Sequence, residues 1–329
     1  MKVEKIVLQD RVFLGNNSYV TLGARIPSHF LLGAQSRIPE NSKMHSGETW
    51  LGTPSILLPR RDTSKAYQYP AHLTFKPTLY RKICRGTLEF LRTILPLSIS
   101  IGFAYNMLFY GKLAIGPQQN DYGTFIWSLF VMTNVYGISM YLISVLLKWI
   151  CVGRYRKRDS PMWTWFVWLA EFSETFFYVH SPLFLGHLTG TPFAAPALRM
   201  YGMDIGTDCY LDSLDFQEPD CVHIGDRAEI NAFAGIQPHV YEDRVLKIDH
   251  TYVGKEACIG VRATVLVSSK VGDGCDIGPV SLVMKGETVP ENSKWIGSPL
   301  KPWKPKPWNK IIKAVSTEEM KKDDLMILV

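Results

Sequence analysis

The chain has 329 residues, with 36 Lys and Arg against 30 Asp and Glu, a formal net charge of +6, and 47% hydrophobic against 20% charged residues. That length accommodates two or three modules. The basic residues cluster beside apolar segments instead of forming one stripe with aromatic platforms, which excludes a nucleic-acid reading. The six cysteines show no CxxC or other close metal spacing, as suits free thiols in a reducing compartment.

Residues 1–60 open without a secretory signal and carry a six-residue rhythm: Leu8, Leu14, Val20, Ile26, Leu32 and Ile38, with Gly15, Gly33, Pro27 and Pro39 among the residues that follow them. A period of six fits neither a helix nor an ordinary strand. It fits a triangular parallel β-solenoid, each unit making one short strand and one corner. This first block has only about two turns, fewer than a solenoid needs to bury its core alone. It is therefore expected to pack on another module or to belong to something longer.

Residues 61–87 form a basic juxtamembrane linker; Arg60, Arg61, Lys65, Lys76, Arg81, Lys82 and Arg85 face only Asp62. Two spans are predicted, at 88–111 and 125–150. Residues 93–111 and 125–147 lack any charge, and the second stretch is long enough for a bilayer core of roughly 30 Å. Lys148, Arg154, Arg156, Lys157 and Arg158 follow the second span, whereas the connecting loop has just Lys112 and Asp121. The positive-inside rule then places both solenoid blocks on the cytoplasmic side, with the basic clusters drawn to anionic lipid. Cys84 and Cys151 sit beside the spans, where S-palmitoylation is chemically reasonable. Residues 162–190 read as an interfacial or re-entrant helix: Trp163, Trp165 and Trp168 crowd its start, and Glu171 and Glu174 share one face.

The rhythm returns over 200–300, most regularly at Val253, Ile259, Val265, Val271, Ile277, Val283 and Val289. Two longer steps interrupt it: 13 residues from Leu211 to Ile224 and 17 from Ile236 to Val253. Both are read as loops on the prism, at 212–223 and 238–252. Residues 301–329 form a Pro- and Trp-rich tail.

The second insertion holds the leading chemical candidates. His239 is a general base suited to removing a proton from an attacking amine. Glu242 or Asp243 is expected to orient its ring, and Arg244 or backbone amides to meet an oxyanion. Gln237 and His250 are further substrate-contact candidates. The plainer alternative makes His239 an ordinary loop histidine and the neighbouring charges a solvated ion pair. A zinc site from His223, His239 and His250 is a third reading, although His239 and His250 are 11 apart and lack paired-ligand spacing. No Walker, GxGxxG or GxSxG motif is present, so an acyl donor is expected to arrive already activated.

The closing string Trp295-Ile296-Gly297-Ser298-Pro299 resembles that of left-handed β-helix, hexapeptide-repeat acyltransferases. The layout is similar to the carboxy-terminal membrane region of ε-poly-L-lysine synthetases and related nonribosomal-peptide-synthetase-like proteins. The matching strings are FLGNNSYVTLGARIP (13–27), TWLGTPSILLPRR (49–61), LTGTPFAAPALRMYGMDIG (188–206), IQPHVYEDRVLK (236–247) and SLVMKGETVP (281–290). The resemblance implies a mainly β protein of left-handed parallel β-helix modules with transmembrane helices between them. It implies amide formation by aminoacyl transfer from a carrier-bound phosphopantetheine thioester to a free amine, with no tightly bound cofactor. A carrier domain or adenylation–carrier protein and the bilayer would be its partners, and a homo-oligomer is a further candidate because such solenoids often trimerise. Within that resemblance His239 matches the motif histidine, with Glu242, Asp243 and Arg244 beside it. Adenylation and carrier domains are not in this sequence, so a fragment or reduced relative is expected. A non-catalytic membrane scaffold is the alternative function.

Overall fold

The computed structural model describes residues 3–39, 43–59, 69–115, 122–242 and 244–303. The linker residues 60–68, the tail from 304 and Asp243 lie outside the described residues.

Hexad aliphatics build a left-handed parallel β-helix because residues 18 apart, three sixes, stack in register. Val253 pairs with Val271 and Val271 with Val289 on one face, while Ile259 pairs with Ile277 on the next and Val265 with Val283 on the third. Each coil strand is two or three residues long and pairs in parallel with the matching strand of the adjoining coil. Ile230, Ile236, Ile259, Val265, Ile277 and Val283 are fully buried, as are Ala228, Ala234, Ala257 and Ala263 two residues before a hexad position. Burying each large aliphatic contributes about 1.5–3 kcal/mol. The glycine after the aliphatic is required by close approach of coils: a Cβ on Gly260 would lie 2.6 Å from the Ile277 carbonyl oxygen of the next turn. The left-handed corner residue comes two positions later, at Arg262, with φ of 56°.

The first block is a shorter prism of the same kind. Leu8 pairs with Ile26, Leu14 with Leu32 and Leu32 with Trp50, again 18 apart. Ile26, Phe30, Leu32, Ile38 and Trp50 form its core. It docks on the second prism, where Gln35 Nε2 donates to Thr264 Oγ1 at 2.8 Å and Thr53 N–H to the Ser298 carbonyl at 2.8 Å.

Between the prisms run α1 (Leu79–Ile115) and α2 (Tyr122–Cys151). By length and composition their segments Leu79–Tyr110 and Gly123–Cys151 are apolar enough to cross a membrane, with mean hydropathy 1.3 and 1.7. Of the most apolar 18-residue window in each, only 6% and 17% is buried within the protein. The region 162–190 contains α3 (Trp165–His180), which packs on both helices and buries Val167, Trp168, Ala170, Phe176 and Phe177.

The two interruptions of the rhythm have different structures. The 17-residue step is a β-hairpin, His239–Glu242 antiparallel to Val245–Ile248, and Arg158–Pro161, from the segment just after α2, adds a third strand. The 13-residue step is not an extra loop. Phe216 pairs with Ile236, so this segment supplies the third face of its coil. It exceeds a regular 12-residue step by one residue, which is absorbed where Glu218 adopts a left-handed φ of 38° before the short 3-10 turn Pro219–Cys221.

Candidate active site

The hairpin projects from the prism, and its first residue, His239, sits on the wall of a cavity of about 410 Å3 between the two prisms. Phe13, Leu31, Trp50 and Leu58 of the first block form an apolar wall. Gln237, His239, Tyr241, Glu242, Leu266, Met284 and Lys285 line the other side.

His239 Nδ1 lies 2.7 Å from Glu218 Oε2, and the two side chains are only 15% and 2% exposed. Anchoring Nδ1 makes Nε2 the nitrogen available to a ligand, and among the described residues Nε2 has no hydrogen-bond partner. The Tyr241 ring meets the imidazole edge-on, with centroids 5.2 Å apart, and its hydroxyl donates to Glu171 Oε1 at 3.3 Å. Glu171 Oε2 in turn receives Arg85 Nη2 of α1 at 2.6 Å. Behind the dyad, the Tyr155 hydroxyl donates to Glu174 Oε1 at 3.5 Å.

Four acidic groups, Glu218, Glu174, Glu171 and Asp215, thus bear on one imidazole. Burial acts to depress the His239 pKa, but the charge and hydrogen bond of Glu218 outweigh it and raise the value to about 9. Glu174 is pushed up to about 8, first by burial and then by the Glu218 charge. Burial also raises Glu171 against the pull of Arg85 and Arg92, and raises Asp215 against His239. At neutral pH His239 and Glu218 therefore form an imidazolium–carboxylate pair. Only the neutral fraction of the ring can accept a proton, and that fraction grows as pH rises toward 9.

The remaining residues singled out from the sequence are distributed as follows. Glu242 lines the cavity but does not orient His239: its oxygens bind Lys247 Nζ at 2.8 Å and Lys285 Nζ. Although burial acts to raise it, those two hydrogen bonds bring its pKa down to about 2. Asp243 lies outside the described residues. Arg244 is exposed at the hairpin tip with φ of 63°, and its carbonyl accepts the Met162 N–H at 2.9 Å. Gln237 lines the cavity beside His239. His250 is turned to a separate cluster, where its Nδ1 meets His223 Nε2 at 2.8 Å, and His223 Nδ1 meets Asp204 Oδ2 at 2.9 Å. Among the described residues no three His, Cys, Asp or Glu side chains converge as a metal site.

The residue that sequence reasoning missed is Glu218. Its signal was the single surplus residue between Leu211 and Ile224: the left-handed corner falls at Glu218, two residues after Phe216, whereas regular coils have it three residues after the aliphatic, as at Arg262 after Ile259. Strained, buried, non-glycine positions of that kind concentrate at functional sites.

No protein-family model matches the chain. It is similar to the delta-poly-L-ornithine synthetase of Acinetobacter baumannii (strain AB307-0294), with 42% identity over 306 residues. That similarity covers 92% of this chain and 22% of the synthetase, so the chain spans about a fifth of the relative's length. The resemblance read from the sequence motifs, to poly-amino-acid synthetases, agrees with this match. Among solved structures it is similar to a serine acetyltransferase in complex with coenzyme A from Brucella abortus strain S19, with 16% identity, 69% of this chain and 82% of that one covered, and a TM-score of 0.30. A maltose O-acetyltransferase from Clostridium difficile 630 aligns with 13% identity over 37% of this chain and 83% of that one, with a TM-score of 0.27.

Proposed function

We propose that this chain is a membrane-embedded transferase module that forms amide bonds by moving an acyl or aminoacyl group from a carrier-bound thioester to a free amine. The observation that carries the reading is the His239–Glu218 pair on the wall of the inter-prism cavity. Similarity to part of a poly-amino-acid synthetase supports the reaction class. Basic residues at the near ends of α1 and α2 support a cytoplasmic orientation of both prisms. A carrier domain on a phosphopantetheine arm is the proposed donor partner.

In this reaction the neutral fraction of His239, small at pH 7 and growing as pH rises toward 9, takes a proton at Nε2 from the amine nitrogen as it attacks the thioester carbonyl. The C–N bond forms and the C–S bond breaks. The thiolate leaves with the proton returned by the imidazolium, so the base is regenerated. Glu218 holds the ring and stabilises its charged form between the two proton transfers.

The test uses membranes carrying the whole chain, a carrier protein charged with an aminoacyl thioester, and a panel of amines. Amide product and freed carrier thiol are followed by mass spectrometry. His239→Ala is expected to lower turnover by about 10²–10⁴-fold, the usual range for losing a general base. Product formation that needs the chain but not His239 would sink the catalytic assignment. Loss of all dependence on the chain would favour the scaffold reading.

A further inference from the structure

A lysine at the end of an apolar helix ordinarily reaches for water at the membrane surface. Lys148, in the last turn of α2, does the reverse. Its ammonium lies 2.7 Å from Asp220 Oδ2, and the two side chains are 0% and 2% exposed. The same Asp220 oxygen accepts the Tyr155 N–H at 2.9 Å. The Lys148 ammonium also sits 3.6 Å from the centroid of the Trp149 ring. Gly202 leaves room for the pair: a Cβ there would come 2.7 Å from Asp220 Oδ1 and 2.9 Å from Lys148 Nζ. Burying two charges gives little net stability over an apolar pair of the same volume. Fold stability alone is therefore a poor account of this arrangement.

The position of Asp220 supplies a better one. It lies in the Pro219–Cys221 turn, two residues after Glu218, and the turn is closed by Cys221 N–H donating to the Glu218 carbonyl at 2.8 Å. Glu218 itself holds the strained φ of 38° and carries the oxygen that meets His239. The Lys148–Asp220 clamp lies one peptide unit beyond Pro219, the residue that follows Glu218, so it holds the turn that carries the Glu218 side chain. We propose that the Lys148–Asp220 pair is a positioning device that fixes the Glu218 carboxylate on His239, so that the active site is assembled only when α2 is seated on the second prism. This inference rests on the transfer reaction proposed above. It makes Lys148 and Asp220 positioning residues that never touch substrate.

The test reads the His239 ring directly. The full chain, labelled at histidine nitrogens and held in detergent micelles, is titrated by NMR, with His239 identified by its absence in His239→Gln. The charged groups bearing on that ring are Glu218, Glu174, Glu171 and Asp215. The wild-type midpoint is expected at about 9, and Glu218→Gln should bring it to the ordinary 6.5 or below. The paired variant Lys148→Met with Asp220→Leu removes both charges and is the one suited to keep its fold. Asp220→Asn, which preserves an acceptor for Tyr155, is the second variant. In either, the His239 midpoint should fall by at least one pH unit, whereas Lys148→Arg should keep it near 9. A folded paired or Asp220→Asn variant that still titrates near 9 overturns the inference, because a merely structural pair would lower the thermal midpoint alone. If Glu218→Gln also leaves the midpoint at 9, the His239–Glu218 dyad itself fails. The two failures are thereby distinct.

Discussion

Replacing Glu218 by Gln should change the pH dependence of stability in a way no simple packing loss can imitate. Gln keeps the shape of Glu and can still accept from Nδ1, but it carries no charge to hold the imidazolium. The span from the ordinary histidine value of 6.5 to about 9 corresponds to about 3 kcal/mol at 1.36 kcal/mol per pH unit. The ring is only 15% exposed, so solvent screening takes little from this figure. A histidine whose folded pKa is raised contributes stability that is complete below pH 6.5 and lost as pH rises through 9. The gap between wild type and Glu218→Gln should therefore be widest near pH 6 and narrow by about 3 kcal/mol by pH 10. Denaturant or thermal unfolding of both proteins in the same detergent, at four or five pH values, measures it. The comparison cancels the pH-independent effects of the substitution. A gap that stays flat from pH 6 to pH 10 would refute the argument that Glu218 holds a charged His239.

Three further outcomes follow from the same structure. Ile259→Ala removes a fully buried hexad side chain and should cost about 2–5 kcal/mol in denaturant unfolding. Gly260→Ala pushes a methyl against the backbone of the next coil; overpacking of this kind should cost about 1–3 kcal/mol, and a variant as stable as wild type would contradict the coil spacing. Glu242, brought down to about 2 by Lys247 and Lys285, contributes stability that is present above pH 4.5 and lost as pH falls through 2. Glu242→Gln should remove that acid-dependent segment of the unfolding profile while leaving the His239 midpoint near 9, because Glu242 does not touch the ring.

The hexads made the prism legible. Inward aliphatics such as Ile259 and Ile277 have no alternative periodicity to satisfy, and the strict spacing sets the 18-residue register. The hairpin at His239 was legible as an interruption of known length. What that interruption packed against was not. Glu242 and Asp243 stood nearest to His239 along the chain and were the natural orienting carboxylates. On an antiparallel hairpin, however, Glu242 pairs with Val245 near the tip, where Lys247 and Lys285 claim it. Glu218, 21 residues earlier, reaches the ring because the preceding coil lies directly beneath the base of the hairpin. The 13-residue step was visible in the sequence, but its meaning required knowing that a regular step across two faces is 12.

By itself, then, the sequence determined the repeating scaffold, the two long apolar helices and the place where the repeat breaks, because each is fixed by local periodicity and by uncharged length. The tertiary structure decided the cavity, the Glu218 partner and the clamp from Lys148. Those depend on contacts between segments far apart in the chain: the first prism closes the cavity, and the end of α2 reaches the turn that carries Glu218. No local pattern encodes such pairings, since a buried charge is stable only where its partner arrives from elsewhere in the fold.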